Sequence, residues 1–288
     1  MESHTEFSKW QGLGNDYVII AVTDLDFDIT PARASLICDR HFGIGSDGIL
    51  LWSGTEATGF RLDIYNPDGS KAEMCGNGIR MLARYLDNRG YVRDSVISVD
   101  TDAGIIAPVL LPDGQVRVDM GRARLGGRGI VGFEGVDVES EALGQKLMVM
   151  GEEFEFTFVD MGNPHCVIET GDLEDLSLWM IGPAIERHEL FPNRTNVEFM
   201  KVTGASEVEM RVWERGVGET NACGTGACAV AVAAWRTRGV KSPMTINLPG
   251  GSLLIEVDLK MNVIMTGPAE EVYSGIISDE FIKHIKEL

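Results

Sequence analysis

Two cysteines in this chain of 288 residues stand directly before a Gly-x-Gly: Cys75 in CGNG and Cys223 in CGTG. Each opens a stretch of helical character, IRMLARYL after the first and ACAVAVAAW after the second. The first turn of a helix offers unpaired N–H groups and partial positive charge, which favours an anion and lowers the pKa of a thiol placed there. Glycines on both sides of Asn77 and Thr225 let backbone amides approach a ligand closely. Two such helix mouths gripping one carboxylate would set one sulfur on each side of the adjacent carbon. A thiolate could then remove a proton from a stereocentre while a thiol returns one to the opposite face, inverting it. The two helix dipoles would stabilise charge developing on the carboxylate in an enolate-like transition state.

The cysteines are 148 residues apart, and the same shift aligns other segments. LGNDYVII at 13–20 falls on MGNPHCVI at 161–168, and DIYNPDGSKAEMCGNG at 63–78 falls on RVWERGVGETNACGTG at 211–226 without a gap. Asn15 then matches Asn163, and Tyr65 matches Trp213. These blocks at one offset describe two homologous halves, each with a GN loop, a strand, a glycine-rich turn bearing Cys, and a helix. In WERG, just after a strand, Arg215 could fork onto a second carboxylate and Glu214 could hold an ammonium group; a solvated surface pair is the alternative. Their partners by the offset, Asn66 and Pro67, also follow a strand. Asn15, Asn163 and Asn196 are the amide candidates. His165 could tune a thiol by hydrogen bonding, with a structurally satisfied histidine as the alternative. Cys38, Cys166 and Cys228 read as small buried residues.

These groups need a framework. Alternation or β-branched density marks YVIIAV, FRLDIY, SVISVDT, GIIAPVLL and QVRVDM in the first half, and FEFTFVD, EVEMRVWE, SLLIEVDL and MNVIMTG in the second. PDG at 112–114 predicts a hairpin turn. Helices are expected at roughly 31–41, 76–89, 182–190 and 226–238, with a short one near the C-terminus; Gly90 and Gly239 stand where C-terminal caps belong. The segment from Gly226 has no polar face, so it must be buried on every side. The expectation is α+β: two pseudo-symmetric lobes, each an antiparallel β-sheet or barrel wrapped around a central α-helix. The lobes are 1–122, with the tail 268–288 returning to it, and 123–267, with the active site in the cleft between. The glycine-rich stretch 121–132 is the expected linker.

The net charge of −19 argues against nucleic acid or an anionic membrane surface as a partner. No segment approaches the ~20 apolar residues of a membrane span, and MESHTEF lacks a signal-peptide core, so a cytoplasmic location is expected. An odd number of cysteines, five, points away from a disulfide framework, and no C-x-x-C suggests structural zinc. Neither glycine motif carries the Gly-Lys-Ser/Thr tail of a P-loop.

Taken together, MCGNGIR at 74–80, GETNACGTGA at 218–227, GLGNDY at 12–17, GNPHCV at 162–167 and WERG at 213–216 resemble the diaminopimelate epimerase family, over nearly the whole chain. The wider superfamily includes proline racemase, hydroxyproline epimerase and phenazine-type isomerases; those racemases usually carry His where this chain has Asn77. The resemblance implies an isomerase, independent of pyridoxal phosphate and of metal, that interconverts LL- and meso-diaminopimelate on the route to lysine and peptidoglycan. It implies Cys75 and Cys223 as the acid/base pair. Substrate contacts would come from Asn15, Asn66, Gly76, Asn77, Asn163, Asn196, Glu214, Arg215, Gly224 and Thr225. His165 and Glu214 would modulate the thiols, and the protein would be a homodimer with Tyr273 as a contact. Some members place Gln where this chain has Gly48, which would remove one contact to the distal end of the substrate. The tail 278–288 runs beyond the point where many members stop and reads as a surface helix.

A racemase of the same fold with a different substrate is disfavoured by Arg215 and Glu214, since proline has no distal zwitterion to bind. A thiol–disulfide redox protein would be expected to carry its cysteines exposed at C-x-x-C spacing. A non-catalytic amino-acid binder would have no use for two thiols.

Overall fold

A computed structural model describes residues 5–72, 75–126, 129–132 and 141–288. Met74, residues 1–4 of MESHTEF and residues 127–128 of the expected linker lie outside the described residues. The chain divides into two compact units, Met1–Val118 with Gly267–Leu288, and Asp119–Thr266.

The first unit begins with β1 (Glu6–Gly12), β2 (Asn15–Ala21), helix α1 (Pro31–Cys38), β3 (Ile49–Thr55), β4 (Gly59–Tyr65) and β5 (Lys71–Ala72). Helix α2 (Gly76–Asn88), β6 (Val99–Thr101), β7 (Gly104–Ile106) and β8 (Val109–Leu110) follow, and the chain leaves this unit along β9 (Val116–Arg122). The second unit holds β10 (Gln145–Val149), β11 (Glu152–Asp160), β12 (Pro164–Glu169), α3 (Leu178–Glu186), β13 (Asn196–Gly204), β14 (Glu207–Glu214) and β15 (Gly218–Thr220). It continues through α4 (Gly224–Arg238), β16 (Met244–Leu248), β17 (Gly251–Val257) and β18 (Asn262–Gly267). The last segment returns to the first unit as β19 (Glu270–Ile276) and α5 (Asp279–Lys286).

Strand order in the first unit is β19-β1-β2-β3-β4-β6-β7, with β5 on β4. In the second, the run β11-β12-β13-β14-β16-β17, with β15 on β14, repeats β1-β2-β3-β4-β6-β7 step for step. The α+β architecture is as expected, but the sheets are neither antiparallel throughout nor closed barrels. β2 pairs parallel with β3, β4 with β6, β12 with β13, and β14 with β16. A parallel pair needs a long crossover, commonly helical, and α1, α2, α3 and α4 fill these four connections. The helices thus lie inside strand crossovers, an order that a list of strand-like segments does not reveal.

From Ala227 to Ala234, α4 is wholly buried, in contact with β11 to β14, β16 and β17. Gly239 ends it in the left-handed region at φ 64°, a conformation costly for side chains with a Cβ. PDG forms the β8–β9 hairpin, with Leu110 opposite Val116. Helix α3 starts four residues before the expected Gly182 and accommodates Pro183. The C-terminal tail is docked: Ile285 is fully buried with Ala34 and Ile37 of α1, and Arg33 Nε donates to Ile285 O at 3.1 Å. Among the described residues no helix is long and apolar enough to cross a membrane.

Candidate active site

Each cysteine is the N-cap of its helix. Cys75 has φ −139° and ψ 112°, and Cys223 has φ −131° and ψ 113°, the extended backbone that a cap requires. Sulfur takes the place of the usual Ser or Asp oxygen: Gly78 N–H donates to Cys75 Sγ at 3.3 Å and Gly226 N–H to Cys223 Sγ at 3.4 Å. Positive-φ glycines, Gly14 at 81° and Gly162 at 96°, turn the chain so that Asn15 and Asn163 stand beside these caps. Asn77 Nδ2 donates to Asn15 Oδ1 at 3.0 Å, and Asn163 Nδ2 donates to Thr225 Oγ1 at 3.3 Å. The same two positions of the repeat are joined in both units, with the donor on the helix in the first and on the loop in the second.

In the first unit the half-site rests on buried charge. Arg80 is fully buried on α2, where Nη2 donates to Asn77 Oδ1 at 3.0 Å, Nη1 to Gly76 O at 3.3 Å and Nε to Pro268 O at 3.1 Å. Asn15 Nδ2 donates to Asp47 Oδ2 at 3.0 Å, and Arg40 Nη2 reaches both Asp47 Oδ1 and Asp16 Oδ1 at 2.7 Å. Lys9 also pairs with Asp16. Burial opposes charge on Asp16, but hydrogen bonds from Arg40 and Lys9 outweigh it and hold the carboxyl at about 2; Asp47 is pushed up by burial and by its acidic neighbour. Asn66 sits in the turn after β4, its Nδ2 donating to Ser70 Oγ at 2.9 Å.

In the second unit Cys223 is buried, with Thr225 Oγ1 3.6 Å from its sulfur. His165 and Glu198, adjacent on the parallel strands β12 and β13, are both fully buried, with Nδ1 and Oε1 2.7 Å apart. His165 Nε2 lies 2.9 Å from Asn163 Oδ1. Glu214 accepts from Thr220 Oγ1 at 2.5 Å. Asn196 serves the backbone: its Oδ1 accepts from Arg215 N–H and its Nδ2 donates to Pro164 O, both at 2.9 Å. Arg215 is exposed, with Nη1 on Asn193 O at 3.3 Å.

The lowered thiol pKa expected from a helix mouth is not found at Cys223. Burial first, then the carboxylates of Glu214 and Glu198, push this thiol well above its usual range. The hydrogen bonds from Thr225 and Gly226 act the other way and are outweighed. Burial, and secondarily Glu198, also raises Glu214. Desolvation penalises the charged form of every acid in this pocket, and the first-turn amide offsets only part of that.

A model of the family described as diaminopimelate epimerase matches residues 7–126 and 157–272. A diaminopimelate epimerase of Pelotomaculum thermopropionicum is 46% identical over 278 residues, covering 93% of this chain and 97% of that protein. One from Desulforudis audaxviator is 47% identical over 275 residues, covering 94% and 98%. The chain belongs to the diaminopimelate epimerase family. Among solved structures, a hydroxyproline epimerase from Agrobacterium vitis is similar in fold, with a TM-score of 0.69 at 13% identity, covering 96% of this chain and 91% of that one. A phenazine biosynthesis protein of the PhzF family from Bacillus anthracis has a TM-score of 0.66 at 13% identity, covering 95% and 99%.

Within this epimerase, the fold leaves no room for a side chain at position 48. A Cβ there would lie 2.5 Å from Tyr17 Cε1 and 2.5 Å from the Tyr65 carbonyl oxygen. Gly48→Ala is therefore expected to lower stability by about 1–3 kcal/mol, read as a reduced denaturant midpoint at unchanged slope. Tyr273 lies on edge strand β19, its ring 5.9 Å from that of Phe7 and nearly perpendicular to it. Arg80, Asp47 and Glu198 escaped sequence reading. Arg80 lies in MCGNGIR, Asp47 directly before Gly48 and Glu198 two residues after Asn196, but an isolated charge in an apolar stretch does not disclose its partner. The offset held a usable signal: Glu198 falls on Leu50 and Arg80 on Cys228, so each is a charge where the other half has an apolar side chain.

Proposed function

We propose that this isomerase interconverts LL- and meso-diaminopimelate by two-base proton transfer at Cα, with Cys75 and Cys223 as the acid/base pair. The carrying observation is the matched capping geometry of the two cysteines, each sulfur held by the amide three residues on. One thiolate removes the Cα proton; the thiol on the other sulfur delivers a proton to the opposite face, and the configuration inverts. Amides of the first turns at Gly76, Asn77, Gly224 and Thr225 receive the α-carboxylate and stabilise it as charge develops. Asn15, Asn66, Asn163 and Asn196 supply amide contacts or hold the loops that do. Arg215 and Glu214 take the carboxylate and ammonium of the distal end. The elevated pKa of Cys223 supports a thiol there in the resting protein, ready to donate.

Incubation with LL-diaminopimelate in heavy water tests this reading. Deuterium is expected at Cα of the meso product, with little in recovered substrate early in the reaction. Inversion without solvent hydrogen entering Cα would sink it.

The protein is further read as a cytoplasmic homodimer. Five free cysteines fit a reducing compartment. β19 offers an edge strand with Val272, Tyr273 and Ile276 exposed, the kind of edge that a second copy covers.

A further inference from the structure

Glu198 is a carboxylic acid with no exposed surface, and among the described residues its Oε2 has no hydrogen-bond partner. Burying such a group is costly, and its counterpart in the other unit is Leu50. Its Oε1 touches two things: His165 Nδ1 at 2.7 Å and the space in front of Gly226, where a Cβ would come within 2.8 Å. The remaining titratable neighbours are Cys166, Glu214 and Cys223.

Donor directions along the chain follow from Asn163. Its Nδ2 donates to Thr225 Oγ1, so its Oδ1 faces His165 and can only accept. His165 Nε2 therefore carries a hydrogen. One proton then lies between Nδ1 and Oε1, either as imidazolium with carboxylate or as imidazole with carboxylic acid, and both forms are neutral overall. Thr225 Oγ1 already accepts from Asn163, which leaves its own hydrogen for Cys223 Sγ. From His165 Nε2 onward every link points the same way, toward the sulfur. In the first unit the chain runs from Arg80 through Asn77 and Asn15 to Asp47, away from the helix cap.

We propose that Glu198 is a positioning residue that fixes His165 with hydrogen on Nε2, and so sets the direction of a hydrogen-bond chain ending as a donor to Cys223 Sγ. The donated bond favours the thiolate and partly offsets the desolvation that Cys223 suffers. This rests on the two-base reading for its importance in turnover, but the sulfur's state can be measured without substrate.

The test is alkylation of Cys223 in the free protein by iodoacetamide, quantified on its peptide, since the reaction rate tracks the thiolate fraction. Glu198→Leu removes the partner of Nδ1, replacing the acid with the side chain found at the corresponding position 50. Because this change also removes the acid's own field on the sulfur, it is compared with Glu198→Gln, which lacks the same charge: Glu198→Leu is expected to be alkylated about tenfold more slowly at fixed pH, the effect of one charge-assisted hydrogen bond, with the Cys223 limb of its pH–rate profile displaced upward. Glu198→Gln can still donate to Nδ1 through its side-chain amide and so keeps the hydrogen on Nε2. Should Glu198→Leu fail to fold, Thr225→Val removes the terminal donor and must slow alkylation similarly. Equal alkylation of folded Glu198→Leu and Glu198→Gln, or parental alkylation of Thr225→Val, overturns the proposal. Failure of the two-base reading would show separately, as Cys223→Ala protein that still inverts its substrate.

Discussion

Cys75→Ala and Cys223→Ala are each expected to lower kcat for inversion by about 10²–10⁴-fold, the usual contribution of a positioned acid or base. The two variants should fail differently from a folding defect. A protein lacking one sulfur keeps the other, and that one can still remove the Cα proton from the epimer that presents hydrogen to it. Loss of Cα hydrogen to heavy water should then persist for one epimer and vanish for the other, with opposite preferences in the two variants. Proton NMR of the α position follows the exchange, and circular dichroism of the amino acid follows inversion. Wild-type inversion in either variant would exclude the two-base mechanism.

Gly226→Ala and Gly78→Ala are expected to differ sharply although they are equivalent in the repeat. At Gly226 the added Cβ meets Glu198 Oε1 at 2.8 Å and Cys223 Sγ at 3.3 Å. Glu198 cannot withdraw without breaking its bond to His165, and the sulfur cannot move without leaving its cap. At Gly78 the nearest atom is Leu50 Cδ2 at 2.9 Å, the tip of a side chain that can rotate. Gly226→Ala should cost about 2–3 kcal/mol of stability, toward the upper end for overpacking. Displacing the sulfur should also reduce kcat by about 10²-fold, the penalty for an ångström of misplacement. Gly78→Ala should cost about 1 kcal/mol or less and retain most activity. Denaturant midpoints with steady-state rates check both, and equal behaviour of the pair would contradict the distinction.

The central helix was legible because α4 has no polar face, a pattern with only one solution in water. The duplication was legible because chain spacing is preserved through strand, turn and helix alike. Both helix-mouth cysteines followed from those two readings. Strand direction was not legible, since parallel and antiparallel neighbours present similar β-branched stretches when both faces are covered. The raised pKa of Cys223 was not legible for a related reason: burial, its largest cause, and the carboxylates of Glu214 and Glu198 act only in the assembled unit. A helix mouth is a local feature of sequence, whereas Glu198 comes from a strand 25 residues upstream in the chain. Its field on the sulfur exists only once β12, β13 and α4 are assembled.

Capping by sulfur carries a lasting consequence. Serine, aspartate or asparagine would start α2 and α4 more firmly than a thiol does, by the scale on which cap substitutions cost about 1 kcal/mol. Selection for heat resistance alone would erode both cysteines, whereas selection for reactivity keeps each helix beginning on its weakest available residue. The first turns of these two helices are thus where durability and turnover compete within this chain.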